Sequence, residues 1–391
     1  MLEGTYKAGD KMFKFEKYFT DEVIEQMRKK QVCLYGMNDF AIAASQWLTK
    51  KGILIQPEEQ CENPFFVIAD FKESSASKQE KKCREKYPDA PIIKMVNPVE
   101  IRIEISGKCN LRCMSCQVGN HNPEVFCHKG RGFMPPDRFV KILDKAEEEY
   151  PDLVSIFFFI VGEPFLHPHI KELLRITKDR GLLTVISSNF SLKIPWDKEL
   201  LSLIDVLKIS VSGFYQDVYE TTHNGGNVEL VKANMHQVAE LIRAYEIPTK
   251  VFVGYHAYTN NKGRDYDAME NLCQELEFDF CPVDALYFNL FYRSGDDAFP
   301  EEARKFIESY YPEPEKILTP TLAEEKELQK PCRNRRDKLF IDWDGSVMLC
   351  EILHKDAFFN NYSDVSREEI EEWRNNHSIC QLCRQYGLDY K

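Results

Sequence analysis

Between residues 98 and 290 six apolar segments of strand length alternate with amphipathic stretches, and this alternation constrains the fold more than any other feature of the chain. The strand-like segments are Val99–Ser106, Val154–Ile160, Leu182–Ser187, Val206–Val211, Lys250–Tyr255 and Phe278–Phe288. Between them, Pro136–Glu149, His169–Arg180, Val228–Tyr245 and Asp265–Glu277 carry apolar residues at helical spacing. Strands joined through helices of that length run parallel, because the crossover brings the chain back to the sheet in the same direction. The fold class is therefore α/β, and a partial (β/α)6 TIM-like barrel is expected over 98–290. Such sheets gather ligands at the carboxyl ends of their strands, so chemistry is sought in the residues just after each strand.

The flanks read differently. Residues 1–97 read as a small Rossmann-like α/β domain, with strands at Gln31–Tyr35, Ile53–Ile55, Phe65–Ala69 and Pro91–Met95 and helices at Ala41–Lys50 and Ser77–Lys86. The run VCLYGMNDFAIAASQWL has the strand, glycine and helix order of nucleotide-binding modules, but one glycine where the dinucleotide fingerprint needs three. A structural or docking role fits it better. Residues 291–391 open on the loop-rich link Gly295–Pro320 and continue as a cysteine-rich β-hairpin plus helix extension. The stretch LFIDWDGSVMLC reads as two short strands turning at Asp344-Gly345, and Arg367–Asn375 reads as the helix.

Composition narrows the partners. The chain has 63 Asp and Glu against 51 Lys and Arg, a net charge of −12, which argues against a nucleic-acid partner. The charged amino terminus lacks the apolar stretch of a signal peptide, and the longest apolar run, Val154–Val161, is too short to span a bilayer. A cytoplasmic protein with no membrane partner is expected. Thirteen cysteines in such a chain point to metal, redox chemistry or buried thiols rather than a disulfide framework.

The cysteine spacing separates two groups. Directly after the first barrel strand comes GKCNLRCMSC, which spaces Cys109, Cys113 and Cys116 as C-x3-C-x2-C. Three thiolates on a short loop can wrap one face of a [4Fe–4S] cube and leave its fourth iron without a protein ligand. A zinc loop, with His121 or the Cys127-His128 pair as fourth ligand, and a redox-active thiol pair are the alternatives. The second group is Cys332, Cys350, Cys380 and Cys383; the hairpin brings the first two together, and the helix can return the last two to them. Four thiolates suit either an iron–sulfur cluster or structural zinc.

With these residues in hand, 98–290 resembles the radical S-adenosylmethionine (SAM) superfamily. The resemblance implies that the open iron chelates SAM and that an electron from the cluster cleaves it to a 5′-deoxyadenosyl radical, which abstracts hydrogen from a substrate. Gly162-Glu163-Pro164 is similar to the family's segment for the methionine amino group, with Val161 in place of a glycine. Ser187, Ser188 and Asn189 fall where the family meets the SAM carboxylate and ribose, and Ser210 and Ser212 resemble ribose contacts. Ser115 departs from the pattern, which has an aromatic residue there. The second cysteine group resembles SPASM and twitch extensions, implying one auxiliary [4Fe–4S] cluster on Cys332, Cys350, Cys380 and Cys383.

The resemblance implies a small-molecule or peptide substrate and an electron donor such as flavodoxin or ferredoxin. A sugar, aminocyclitol or nucleotide-linked sugar is the leading substrate, a ribosomal peptide the alternative within the same chemistry, and a non-catalytic zinc or iron–sulfur scaffold the alternative outside it. Cys127, Cys273 and Cys281 are candidate hydrogen donors to a substrate radical, with buried free thiols as the plainer reading.

Overall fold

The structure, a computed structural model, describes residues 18–36, 39–70, 73–96, 99–116, 131–151, 153–285, 301–319, 332, 338–351 and 357–385. Near the amino terminus β1 (Gln31–Tyr35), β2 (Pro64–Asp70) and β3 (Ile92–Val96) pair in that order, all parallel. The central strand, PFFVIAD, is buried along nearly its whole length, as a parallel strand covered on both faces must be. Helices Asp39–Lys50 and Glu73–Lys86 appear where their periodicity put them. Ile53–Ile55 does not become a strand. It contributes an isolated bridge from Ile55 to Val32, because Gly52 at φ +75° and the turn beginning at Glu58 bracket it too closely. An additional helix, Asp21–Arg28, is capped by Thr20 and buries Ile24 and Met27.

All six barrel strands form. In order they are β4 (Glu100–Ile103), β5 (Ser155–Phe157), β6 (Leu183–Ser188), β7 (Val206–Val211), β8 (Lys250–Ala257) and β9 (Asp279–Asp284), each parallel to the one before. The carboxyl-terminal hairpin forms too, as β10 (Lys338–Ile341) and β11 (Ser346–Met348), followed by β12 (Phe358–Asn361). Its placement could not be read from local pattern: β10 lies parallel against β4, so the hairpin extends the same sheet to nine strands.

Strand alternation sorts the two faces. Ile101, Ile103, Ile156, Ile186, Leu207, Ile209 and Val253 share one core with residues of the flanking helices, including Phe139, Leu173, Met235 and Met269. Arg102, Glu104, Ser187, Lys208, Ser210 and His256 alternate onto the opposite, inner face. The amino-terminal layer covers one end of this sheet. Ile42 packs with Phe157, Val185 and Val206, while Val154 and Leu183 join the core built by Trp47, Leu48 and Val67. All of these barrel residues but Phe157, the last residue of β5, lie at or near the starts of their strands, away from the carboxyl ends. Among the described residues no helix is long and apolar enough to cross a membrane.

Candidate functional site

The cysteine loop leaves β4 and is tied to its neighbours at several points. Asn110 Nδ2 donates to Ser191 O at 2.8 Å, Asn189 Nδ2 donates to Asn110 Oδ1 at 3.0 Å, and Arg112 N donates to Asn224 O at 2.9 Å. These bonds reach the loops after β6 and β7. On the other side Glu163 N donates to Lys108 O at 2.8 Å, which joins the loop after β5. Gly162 is required there by close approach: a Cβ on it would lie 1.8 Å from Ser106 O.

Together these loops border a cavity of about 430 Å³ at the carboxyl ends of the strands. Its lining includes Cys109, Cys113, Cys116, Gly162, Glu163, Ser187, Ser188, Asn189 and Ser210. Nine of the residues picked from sequence for the first cluster and SAM are thus brought to one cavity. Pro164 sits behind it, opening the turn Pro164–Leu166 that Glu163 caps. Ser212 is fully buried, its hydroxyl engaged by Thr222 and by His223 Nδ1 at 2.5 Å.

The donor set fits an iron–sulfur cluster. Burial pushes the Cys109 thiol up to about 12, and burial with the neighbouring Cys116 and Cys109 raises Cys113 well above the ordinary thiol range. Buried thiols that resist ionising beside one another are the arrangement a cation reverses. Two donors already face Cys109 Sγ, Leu111 N at 3.5 Å and Asn189 Nδ2 at 3.7 Å, as hydrogen bonds to a ligating sulfur require. Among the described residues no three His, Cys, Asp or Glu side chains converge as around a single metal ion. Thiolates on different irons of a cube need not converge.

Glu163 is 1% exposed. Its carboxylate accepts Ser188 Oγ at 2.8 Å, Asn189 N at 2.9 Å and Phe165 N at 3.1 Å. Burial nonetheless pushes it up to about 7, with those three donors pulling the other way.

Several lining residues escaped the sequence reading. His223 and His256 face each other with ring centroids 6.3 Å apart, and both line the cavity with Tyr258, Asp284 and Glu351. Burial, then the second imidazole, holds His223 down to about 3; burial lowers His256. The inner-face alternation Lys250, Phe252, Gly254, His256 along β8 was a signal for His256. Ser115 donates nothing aromatic, but Tyr258 OH meets its hydroxyl at 3.2 Å.

The candidate hydrogen donors are dispersed. Cys273 is fully buried in the helix Arg264–Leu276 and belongs to the core outside the sheet; Cys281 is half-buried on β9; neither lines the cavity. Cys127, His121 and His128 lie outside the described residues.

Three cysteines of the second group, Cys332, Cys350 and Cys380, lie near Arg374. This residue, 4% exposed on the helix Arg367–Asn376, donates to Lys338 O at 3.0 Å and Met348 O at 3.2 Å, so it grips both strands of the hairpin. Burial lowers its affinity for the proton, and Cys350, Cys380 and Cys332 are near enough to oppose that effect. Cys380 and Cys383 lie one turn apart on the helix Ser378–Gln385.

Comparison with known proteins agrees with this geometry. Residues 103–264 match the family described as the Radical SAM superfamily. A tungsten-containing aldehyde ferredoxin oxidoreductase cofactor-modifying protein of Pyrococcus furiosus is 36% identical over 122 residues, 31% of this chain and 32% of that protein. The putative protein YfkA of Bacillus subtilis is 33% identical over 126 residues, 31% of this chain and 28% of its own. The chain therefore matches about a third of the length of these curated relatives. Among solved structures, SuiB of Streptococcus suis aligns with a TM-score of 0.48 at 15% identity, covering 80% of this chain and 72% of its own. A structure of anSMEcpe with bound AdoMet aligns with a TM-score of 0.48 at 16% identity, covering 75% and 84%. Residues 103–264 are thus a radical SAM superfamily domain.

Proposed function

We propose that this protein is an enzyme that binds a [4Fe–4S] cluster through Cys109, Cys113 and Cys116, reductively cleaves SAM, and abstracts a hydrogen atom from a bound small molecule or peptide. The observation that carries this reading is the convergence of those thiols with Gly162, Glu163, Ser187, Ser188, Asn189 and Ser210 on one cavity. When bound, the cluster and SAM supply a 5′-deoxyadenosyl radical; the chain supplies binding, orientation and shelter from water. Asn189 Nδ2 and Leu111 N hold Cys109 Sγ in place. Glu163 joins the loops after β5 and β6, and Ser210, within 3.3 Å of Ser187 Oγ, extends the polar wall toward β7. Reduction of the cluster calls for a one-electron donor such as flavodoxin or ferredoxin.

Cys332, Cys350, Cys380 and Cys383 are proposed to hold one auxiliary [4Fe–4S] cluster. Its wall adjoins the cavity: Cys350, Ile160 and Val161 pack against the same buried pair, Phe340 and Met348, and Glu351 lines the cavity itself. The three regions 1–97, 98–290 and 291–391 are proposed as docking layer, radical domain and auxiliary-cluster region.

The lining lends no support to a nucleotide-linked sugar. Its described residues include Glu163, Asp284 and Glu351 but no Lys or Arg, a lining that repels rather than attracts a pyrophosphate. The test is anaerobic purification and reconstitution, then reduction with SAM present. A brown protein that releases 5′-deoxyadenosine is expected. A colourless protein holding only zinc sinks the proposal.

A further inference from the structure

Glu104 is fully buried on the inner face at the end of β4, five residues before the first cluster cysteine, and none of the chemistry above uses it. Its Oε2 accepts Val161 N at 2.6 Å and Gly162 N at 2.8 Å, while Oε1 meets no donor among the described residues. Its own N–H donates to Ile341 O at 2.8 Å, which pins this residue to β10. Burying a carboxylate is costly unless it is well paired. Here one oxygen is doubly occupied and the other has no hydrogen bond, with only the positive charge of Arg131 nearby, so general core packing does not account for it.

The loop it holds explains the cost. A trans peptide carries its C=O opposite its N–H. Turning the N–H groups of Val161 and Gly162 toward Glu104 therefore turns the carbonyls of Ile160 and Val161 away from it. Those two carbonyls and that of Gly162 accept no hydrogen bond from the described residues, although all three residues line the cavity. The loop is also gripped from the far side, by Glu163 N on Lys108 O and by the contact of Gly162 with Ser106 O. Three unfilled carbonyl acceptors on a loop held from both sides match the three N–H donors of an ammonium group.

Resting on the reading that this cavity binds SAM, we propose that Glu104 is the positioning residue of the amino-group subsite: it fixes the peptide planes over 160–162 and so sets SAM affinity, without serving the cluster. What Glu104 contributes is an acceptor oxygen rather than a negative charge. Glutamine retains that oxygen; leucine keeps the volume and lacks it.

The test uses the full, anaerobically reconstituted protein and SAM as the probe. E104L should weaken SAM binding about tenfold or more, the size expected when two backbone donors lose their shared acceptor, while iron content holds. E104Q should stay within about threefold of the parent protein, since it keeps the acceptor. Amide exchange in the peptide spanning 158–166, read without SAM, should rise in E104L and not in E104Q. Parent-like SAM affinity in E104L, or a loss in E104Q as large as in E104L, overturns the proposal. Should E104L lose iron, E104A replaces it; loss of iron from both also overturns the proposal, because Glu104 then serves the cluster or the fold. A parent protein that fails to bind SAM sinks the SAM reading by itself, and the exchange comparison still decides whether Glu104 holds the loop.

Discussion

The Ser188 hydroxyl donates to the Glu163 carboxylate at 2.8 Å, and this bond joins the end of β6 to the loop after β5. Both residues are buried, so Glu163 has few other donors within reach if this one is removed. Ser188→Ala is expected to cost about 1–3 kcal/mol of stability, the usual penalty for a buried acceptor that loses a partner. Urea unfolding of the two proteins side by side measures it; an unchanged midpoint would mean that Asn189 N and Phe165 N suffice for Glu163.

Replacing Cys109, Cys113 or Cys116 by Ala should abolish 5′-deoxyadenosine release while leaving the iron of the carboxyl-terminal site in place. Cys380→Ala should do the reverse for iron, with the first site still loaded. Iron and sulfide assays on each variant separate the sites. Complete loss of iron from either kind of change would refute two independent clusters.

Gly162→Ala tests the close approach of two loops. The added Cβ would lie 1.8 Å from Ser106 O and 3.0 Å from Lys108 O, both backbone atoms that cannot swing aside. Overpacking of this kind typically costs about 1–3 kcal/mol or more. Loss of SAM binding together with a lowered thermal midpoint is the expected result, and wild-type behaviour on both counts would contradict the described loop geometry.

Acid should weaken the fold through His223, whose folded-state value is held down to about 3. The unfolded chain takes up a proton below about 6.5 that the folded chain refuses, so stability is full above that pH and falls as pH drops toward 3. At pH 5 the loss from this residue is about 2 kcal/mol. Unfolding midpoints at pH 7 and pH 5 should therefore differ less in His223→Gln than in the parent protein; identical differences would place the acid sensitivity elsewhere.

Arg374→Gln removes a buried cation that holds Lys338 O and Met348 O beside Cys332, Cys350 and Cys380. Breaking one side of a buried charged arrangement costs about 3 kcal/mol or more. The variant is expected to lose iron from the carboxyl-terminal site on mild chelation while Cys109, Cys113 and Cys116 keep theirs. Equal retention at both sites would show that Arg374 is only a packing residue.

What was legible in the sequence was local. The six barrel strands, the helices between them, the Asp344-Gly345 hairpin and the spacing of Cys109, Cys113 and Cys116 all follow from periodicity and turn chemistry within short windows. The expectation that Gly162, Glu163, Ser188 and Asn189 share a site came from the family resemblance, supported by the rule that parallel strands expose their carboxyl ends together. Tertiary structure decided what depends on contacts far apart in the chain. It put β10 against β4, packed Ile42 with Phe157, Val185 and Val206, and brought Cys332, Cys350 and Cys380 near Arg374. It also turned Ser212 toward His223, left Cys273 and Cys281 out of the cavity lining, and made Glu104 the support of a loop more than fifty residues away. The reason is physical. Hydrophobic period reports which way a side chain faces on its own element, whereas the partner it meets is set by sheet order and loop docking, to which residues distant in sequence contribute.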